Sequence, residues 1–410
     1  MFLLYFLIAF VTNFAGTMGV VVKNQFGASN SLSQLGTLAN FIAYACMGIP
    51  AGLILKHRGY KFTSLCAVTI GMLGVSIQWL AAPLSSFGVY ILGAFVAGFS
   101  MCMLNIVVNP MLNTLGGGGK KGNQLNLLGS SINSIGGTLA PVVLGYYIGG
   151  NVADADLSDA SSVMTMAVCM FLFAFIVIIL TDIPEPHIES DAEKTLRLPT
   201  DSKYGPLSFR HFVLGAVAVF FYVGIEVGIP NTANLFMSED PDVGPALAGG
   251  LIGAYWFMMM IGRLIGGAIG GSVRPKNMLL VVSFVALILV HGIAYIPEEV
   301  EVAVNLPHLG ISGLVPVAML CMVFCGLCTS VMWGCIFNLS TEGIGKYTPM
   351  ATGIFMALVC GGGIIPFVQG LVADVIGAQA SYIVLACGLF YIFCYALWGS
   401  KNVNVDIKID

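Results

Sequence analysis

The stretch whose reading decides the fold is residues 93–145, GAFVAGFSMCMLNIVVNPMLNTLGGGGKKGNQLNLLGSSINSIGGTLAPVVLG. It reads as two apolar helices joined by a Gly/Lys turn at 116–123. Amides sit inside the apolar runs: Asn105, Asn109 before Pro110, Asn126 and Asn133. The second helix carries Gly136-Gly137-x-x-x-Pro141-x-x-x-Gly145, and the pattern returns as Gly361-Gly362-x-x-x-Pro366-x-x-x-Gly370. A self-match at about half the chain length predicts two related halves. Polar side chains on lipid-length helices are costly unless they face a cavity or a partner. A solute site is therefore expected between the halves.

Outward from that stretch, composition agrees. Hydrophobic residues make up 58% of the 410 and charged residues 9%, against roughly 25% charged in a soluble protein. The chain is a polytopic membrane protein, with the lipid bilayer as its surroundings. Its net charge of −4 and the spread of its basic residues over short loops argue against nucleic acid as a partner. The eleven cysteines lie within or at the edges of apolar runs. Cys325 and Cys328 form a C-x-x-C without nearby His or carboxylate, and read as small packing residues. No disulfide framework, metal or cofactor is implied. The start, MFLLYFLIAF, lacks the basic region of a signal peptide and reads as a retained first helix.

Runs of about 20 apolar residues, the length that crosses a bilayer, fall near 2–22, 33–55, 62–82, 88–112, 124–148 and 161–181. They resume near 211–236, 247–270, 277–297, 310–338, 348–372 and 380–399. The expected architecture is all-α, with twelve transmembrane helices in two pseudo-symmetric six-helix bundles. The bundles are 1–181 and 211–399, separated by a cytoplasmic linker at 182–210 and followed by a tail at 400–410. With the N-terminus inside, 15 of the 16 Lys and Arg fall in cytoplasmic loops and ends, and only Lys23 falls outside. The outer loops collect Asp154, Asp156, Asp159, Glu239, Asp240, Asp242, Glu298, Glu299, Glu301 and Asp374. The positive-inside rule thus places both termini in the cytoplasm.

One carboxylate remains once the loop and cytoplasmic acids are set aside. It is Glu226, slightly past mid-membrane, and Gly224, Gly228 and Pro230 around it predict a weakened or broken helix. Broken helices are where transporters expose backbone polar groups to substrates and ions. The Gly/Lys turn lacks the Gly-Lys-Ser/Thr order of a phosphate loop and reads as flexible. Gly262-x-x-x-Gly266 reads as a helix-packing pattern.

Asn13, Asn40, Asn105, Asn109 and Asn133 lie inside apolar spans, as do Trp256 and Trp333, away from the interfacial belt where Trp usually sits. Any one amide is equally consistent with an interhelical hydrogen bond, and Asn109 with satisfying carbonyls freed by Pro110. Together, amides and tryptophans suit a sugar. Hydroxyls need paired donors and acceptors, the C–H face of a pyranose packs on an aromatic ring, and amides carry no charge to attract an ionic solute.

These residues carry a resemblance. The chain resembles the fucose–proton symporter and glucose/galactose transporter branch of the major facilitator superfamily, nearly end to end. The matching pieces are residues 46–51 (CMGIPA), Asn109-Pro110, Asn133-Ser134-x-Gly136, Tyr222-Val223-Gly224, Ile261-Gly262-Arg263, Ile336-Phe337, and Gly361-Gly362-Gly363 with Pro366. Residues 52–61 resemble the superfamily's Gly-rich basic loop, with Lys56 replacing the usual acid; Gly262-Arg263 and Arg274-x-Lys276 form a weaker echo. The resemblance implies alternating access and import of a monosaccharide. In the fucose symporter an acid on the first helix and one on the fourth bind substrate and carry the proton. Those positions match Asn13 and Asn105, amides that cannot titrate, so coupling through that pair is excluded. The family's mid-helix Asn maps to Asn133, and its tenth-helix aromatic to Trp333.

The expectation is a monomeric secondary-active transporter of the bacterial inner membrane importing a neutral hexose such as glucose, galactose or fucose. Asn13, Asn105, Asn109 and Asn133 would bind hydroxyls, Trp256 and Trp333 would stack the ring, and Glu226 would carry Na⁺ or H⁺. Alternatives keep the fold: an amino sugar, a sialic-acid-like anion or a peptidoglycan fragment as cargo, an uncoupled facilitator, or a non-transporting sugar sensor. An anion calls for a buried cation, and the only candidate, Arg263, sits at the inner end of its span, which counts against an anionic cargo. An enzyme is not expected, because the five histidines lie at or near helix ends or in loops.

Overall fold

The computed structural model describes residues 1–115, 119–148, 157–185, 205–237, 245–270, 272–306, 311–344, 347–404 and 407. Asp154, Asp156, Glu239, Asp240, Asp242, Lys346, Lys408 and the linker from 186 to 204 lie outside the described residues.

Twelve helices pass back and forth. In the first six, α1 is Phe2–Phe26, α2 Leu35–Leu55, α3 His57–Leu84, α4 Phe87–Leu115, α5 Gly119–Ile148 and α6 Ser161–Leu180. In the second six, α7 is Arg210–Met237, α8 Pro245–Ile269, α9 Pro275–Tyr295, α10 Val317–Thr341, α11 Ala351–Ile376 and α12 Ala380–Gly399. Eleven of them are long and apolar enough to cross a membrane. The twelfth, α5, has the length at 30 residues but is diluted by Gln124, Asn126, Ser130, Ser131, Asn133 and Ser134. Odd-numbered helices lead away from the face that holds Met1, and even-numbered ones return to it.

Three boundaries differ from expectation. The apolar run from 310 is not one helix: Glu301–Leu306 (β1) pairs antiparallel with Ile311–Pro316 (β2), and α10 starts only at Val317. α5 already begins at Gly119, so Lys120 and Lys121 are helical rather than part of a turn. α7 is unbroken from Arg210 to Met237 despite Pro230.

At the Met1 face, the helical run from Leu35 to Leu84 breaks near the start of α3 at Gly59, whose φ of 80° is a conformation that only glycine adopts cheaply. The break frees the amides that follow it. The Glu185 carboxylate accepts from the Tyr60 N–H at 2.5 Å and the Lys61 N–H at 2.8 Å, the stabilising arrangement for an anion at a helix N-terminus.

The sequence repeat corresponds to equivalent packing in the two bundles. Gly136 meets the backbone of α1, where an added Cβ would lie 2.5 Å from the Phe6 carbonyl oxygen; Gly361 meets α7, where a Cβ would collide with that of Phe220. The second glycine of each pair faces the other bundle. Gly137 lies against the Trp256 ring on α8, and Gly362 against the Phe41 ring on α2. At the end of each motif Gly145 packs on Gly249, and Gly370 on Ser31. Two seams, α5 on α8 and α11 on α2, are thus built alike, with small residues letting the backbones approach.

The face opposite Met1 is closed by polar contacts between the bundles. Asn231 Nδ2 donates to Gln34 Oε1 at 3.2 Å and Thr37 Oγ1 at 3.3 Å, and Asn234 Nδ2 to the Thr17 carbonyl at 3.1 Å. Asp374, read as a loop acid, belongs to the last turns of α11. Its carboxylate accepts from Asn30 N–H at 2.7 Å, Ser31 N–H at 3.1 Å and Ser31 O–H at 2.6 Å, capping the one-turn helix Asn30–Ser33. Asp374→Asn should loosen this closure. A cysteine at buried Ser33 is expected to react about tenfold faster with an impermeant maleimide in that background, the loss of a charge-assisted bond being worth ~1.5–3 kcal/mol.

Candidate functional site

In the first bundle one tyrosine organises two of the expected amides. The Tyr5 hydroxyl donates to Asn109 Oδ1 at 2.6 Å, and the Tyr5 carbonyl accepts from Asn133 Nδ2 at 2.9 Å. Asn109 Nδ2 donates to the Asn105 carbonyl at 2.8 Å, not to the Ile106 carbonyl that Pro110 frees. With both ends engaged, Asn109 braces α1 against α4. Asn105 Nδ2 spends its two hydrogens on the Tyr44 hydroxyl at 3.1 Å and the Met101 carbonyl at 3.0 Å. Asn13 Nδ2 donates to Ala9 O at 2.8 Å. The Oδ1 atoms of Asn13, Asn105 and Asn133 have no partner among the described residues. Asn40 is buried and donates to Ala94 O at 3.2 Å, a structural link from α2 to α4.

The second bundle supplies aromatics and charge. Trp256, 7% exposed, lies edge-on to Tyr255 with centroids 5.2 Å apart and covers Gly137, where an added Cβ would lie 3.1 Å from both the Trp256 ring and Asn13 Nδ2. Asn13 and Trp256 therefore converge on Gly137 at the seam. Trp333 is half-buried beside Tyr222, with centroids 6.2 Å apart and planes tilted by 52°. Tyr222 precedes Glu226 by one turn of α7 and faces its carboxylate.

Arg263 is the main correction to the expected site. It is an interior cation, not one set aside at the inner end of its helix. Its Nη2 pairs with Glu226 Oε1 at 3.5 Å, each side chain 15% exposed. Its Nη1 crosses the seam to the Ser130 carbonyl at 2.8 Å and Ser134 Oγ at 2.8 Å on α5. The expected break at Glu226 is also absent for a visible reason. Pro230 has no N–H for the Glu226 carbonyl one turn back, and the Tyr255 hydroxyl donates there instead, at 2.9 Å. The carbonyl that the proline frees is thus already engaged.

The structure thus links Asn109 and Asn133 through Tyr5 and Asn109 to the Asn105 carbonyl, brings Asn13 and Trp256 to the same glycine, and joins Trp333 to Glu226 through Tyr222. Tyr5, Tyr44 and Tyr255 were not singled out from sequence, and Tyr222 was quoted only for the resemblance, not as a site residue. A tyrosine in an apolar run carries no pattern that distinguishes a site residue from core.

Residues 1–365 match the model of the Major Facilitator Superfamily. The chain belongs to that superfamily. It is 28% identical over 405 residues to a glucose/galactose transporter of Brucella abortus, covering 98% of this chain and 93% of that one. It is 23% identical over 430 residues to the L-fucose-proton symporter of Escherichia coli, covering 98% and 92%. Among solved structures, the inward-open E. coli xylose transporter superposes with a TM-score of 0.72 at 13% identity over 98% of this chain and 94% of that one. The likeness shows the superfamily fold of twelve helices in two bundles. The protein is a membrane transporter and not an enzyme.

The Glu226–Arg263 pair has a simple stability signature. Removing one partner strands a charge at membrane depth, whereas removing both does not. Arg263→Leu and Glu226→Leu should each lower the thermal midpoint in detergent, and the double variant should recover most of the loss.

Proposed function

We propose that the protein imports a neutral monosaccharide, a hexose such as glucose, galactose or fucose, across the bacterial inner membrane with a proton. The observation that carries this reading is an interior lined by amides and aromatic rings whose two charges, Glu226 and Arg263, cancel. Such a site has hydrogen-bonding capacity without net charge, which suits an uncharged polyol. Asn13, Asn105 and Asn133 offer open acceptors to hydroxyls, Trp333 and Trp256 offer faces to the ring, and Asn109 holds its neighbours in place. The named relatives carry glucose, galactose or fucose, which is consistent with this assignment.

Accumulation requires a second species whose binding differs between the two access states. Asn13 and Asn105 cannot titrate, so Glu226 is assigned that role. A proton is favoured over Na⁺ because a metal ion needs several oxygen ligands and the carbonyl freed by Pro230 is already engaged by Tyr255. Bundles at 1–181 and 211–399 rock about the two glycine seams, with 182–210 as the cytoplasmic linker and both termini in the cytoplasm. A second reading is favoured by Arg263 alone. A sugar acid would compete with Glu226 for the guanidinium, so hexuronates and sialic acids belong in the substrate screen.

Proteoliposomes with imposed H⁺ or Na⁺ gradients and radiolabelled sugars test both readings. Asn133→Ala removes a hydroxyl partner, a loss worth ~1–3 kcal/mol when a group is left unsatisfied. Sugar affinity is expected to fall about tenfold or more, and unchanged affinity would remove Asn133 from the site. Glu226→Gln is expected to abolish gradient-driven accumulation and to keep counterflow, because exchange needs no net ion movement. Wild-type accumulation in that variant would refute the coupling role, and wild-type protein that never accumulates sugar would mark a facilitator.

A further inference from the structure

We propose that Tyr255 is a positioning residue for coupling, its hydroxyl standing in for the amide hydrogen that Pro230 lacks. It thereby fixes the backbone that carries Glu226 and ties it to the segment of α10 that carries Trp333. This rests on the reading of Glu226 as the proton carrier.

In an α-helix the N–H of residue 230 would bond the carbonyl of residue 226. Proline has no such hydrogen, and its ring crowds that carbonyl. A bare carbonyl at lipid depth is costly, and a helix in that position commonly kinks. Here the acceptor is filled from α8 by the Tyr255 hydroxyl at 2.9 Å, and α7 stays helical through Met237. Tyr255 is fully buried, and Gly326 on α10 packs directly against its carbonyl.

The same hydroxyl reaches Thr329 Oγ1 at 3.2 Å. A tyrosine hydroxyl has one hydrogen. With that hydrogen on Glu226 O, Tyr255 is the acceptor toward Thr329. Thr329 also has a single hydrogen and two acceptors on its own helix, Cys325 O at 3.1 Å and Gly326 O at 3.2 Å. It can close its own turn or reach across to Tyr255, not both at full strength. The choice falls where the regular helix of α10 lapses at Ser330 and Val331, two residues before Trp333. A shift of the Glu226 backbone is therefore felt at the aromatic ring through two hydroxyls. The charged and titratable groups facing this node are Tyr222 and Glu226 on α7, Arg263 on α8, Cys325 on α10 and Tyr382 on α12, the last of which donates to Ile229 O at 2.6 Å.

Tyr255→Phe removes only the hydroxyl. Proton-driven accumulation is expected to fall about tenfold while the rate of counterflow at saturating sugar changes by no more than about twofold, an unsatisfied buried carbonyl disturbing α7 by an amount of that order. The decisive variant is Tyr255→Phe with Pro230→Ala, which returns an amide hydrogen to the Glu226 carbonyl and is expected to restore accumulation. A hydroxyl that acts anywhere other than on the Glu226 carbonyl would show no such rescue, and a double variant as impaired as Tyr255→Phe overturns the proposal. So does Tyr255→Phe that accumulates normally. If Tyr255→Phe fails to fold, Pro230→Ala is expected to restore folding for the same reason, and failure of both variants overturns the proposal. Thr329→Val is expected to raise the sugar concentration for half-maximal counterflow severalfold; an unchanged value removes the link to α10. Glu226→Gln separates this inference from the reading beneath it. If that variant still accumulates sugar, the carrier assignment fails, and the Tyr255 tie is then judged by whether Pro230→Ala restores the thermal midpoint of Tyr255→Phe.

Discussion

A carboxylate and a guanidinium held 3.5 Å apart at membrane depth constrain everything around them. Either charge alone would be expensive there, so the second bundle must keep α7 and α8 in a fixed relation. Arg263 has more donors than one carboxylate can take, and the surplus goes to α5 of the other bundle through Ser130 and Ser134. The pair is therefore internal to one bundle but anchored in both. Ser134 adjoins Asn133, which Tyr5 ties in turn to α1, while Tyr5 also holds Asn109 on α4. From one ion pair a continuous chain of polar contacts runs to three helices of the opposite half.

Much of this architecture was legible in the sequence, because lipid imposes a length and a polarity on each helix that composition alone reveals. The repeat was legible as well, since glycine is the residue that backbones need in order to touch, and Gly136 and Gly361 do touch equivalent helices. The amides were found because polarity inside an apolar run is conspicuous. Arg263 was misjudged because counting along α8 gives the depth of a Cα and says nothing of where a long side chain reaches. The break at Glu226 was expected from Pro230 and is absent because Tyr255, remote in sequence, supplies the missing donor. The hairpin at 301–316 was hidden for a plainer reason. Its second strand and α10 form one apolar run, in which a short strand and a helix look the same.

The halves repeat in packing but not in chemistry. The described interior of the first bundle offers amides and no buried ion pair, and that of the second offers aromatic rings and the Glu226–Arg263 pair. At the proposed site, a ligand lying between them would meet hydrogen-bond acceptors on one side and faces and charge on the other. An asymmetric molecule such as a sugar would therefore have one preferred way round.

The paired glycine seams have a further consequence, for the kind of motion open to the molecule. One smooth contact between two rigid bodies leaves them free to roll, twist and slide. Two such contacts, α5 on α8 and α11 on α2, work as the two pins of a door, since a line through both defines an axis. Displacements that would part either seam expose lipid-depth backbone and are resisted, whereas rotation about that line keeps both closed. Of the six ways in which two bodies can shift against each other, a rotation about that line is the one the repeated glycines would obstruct least.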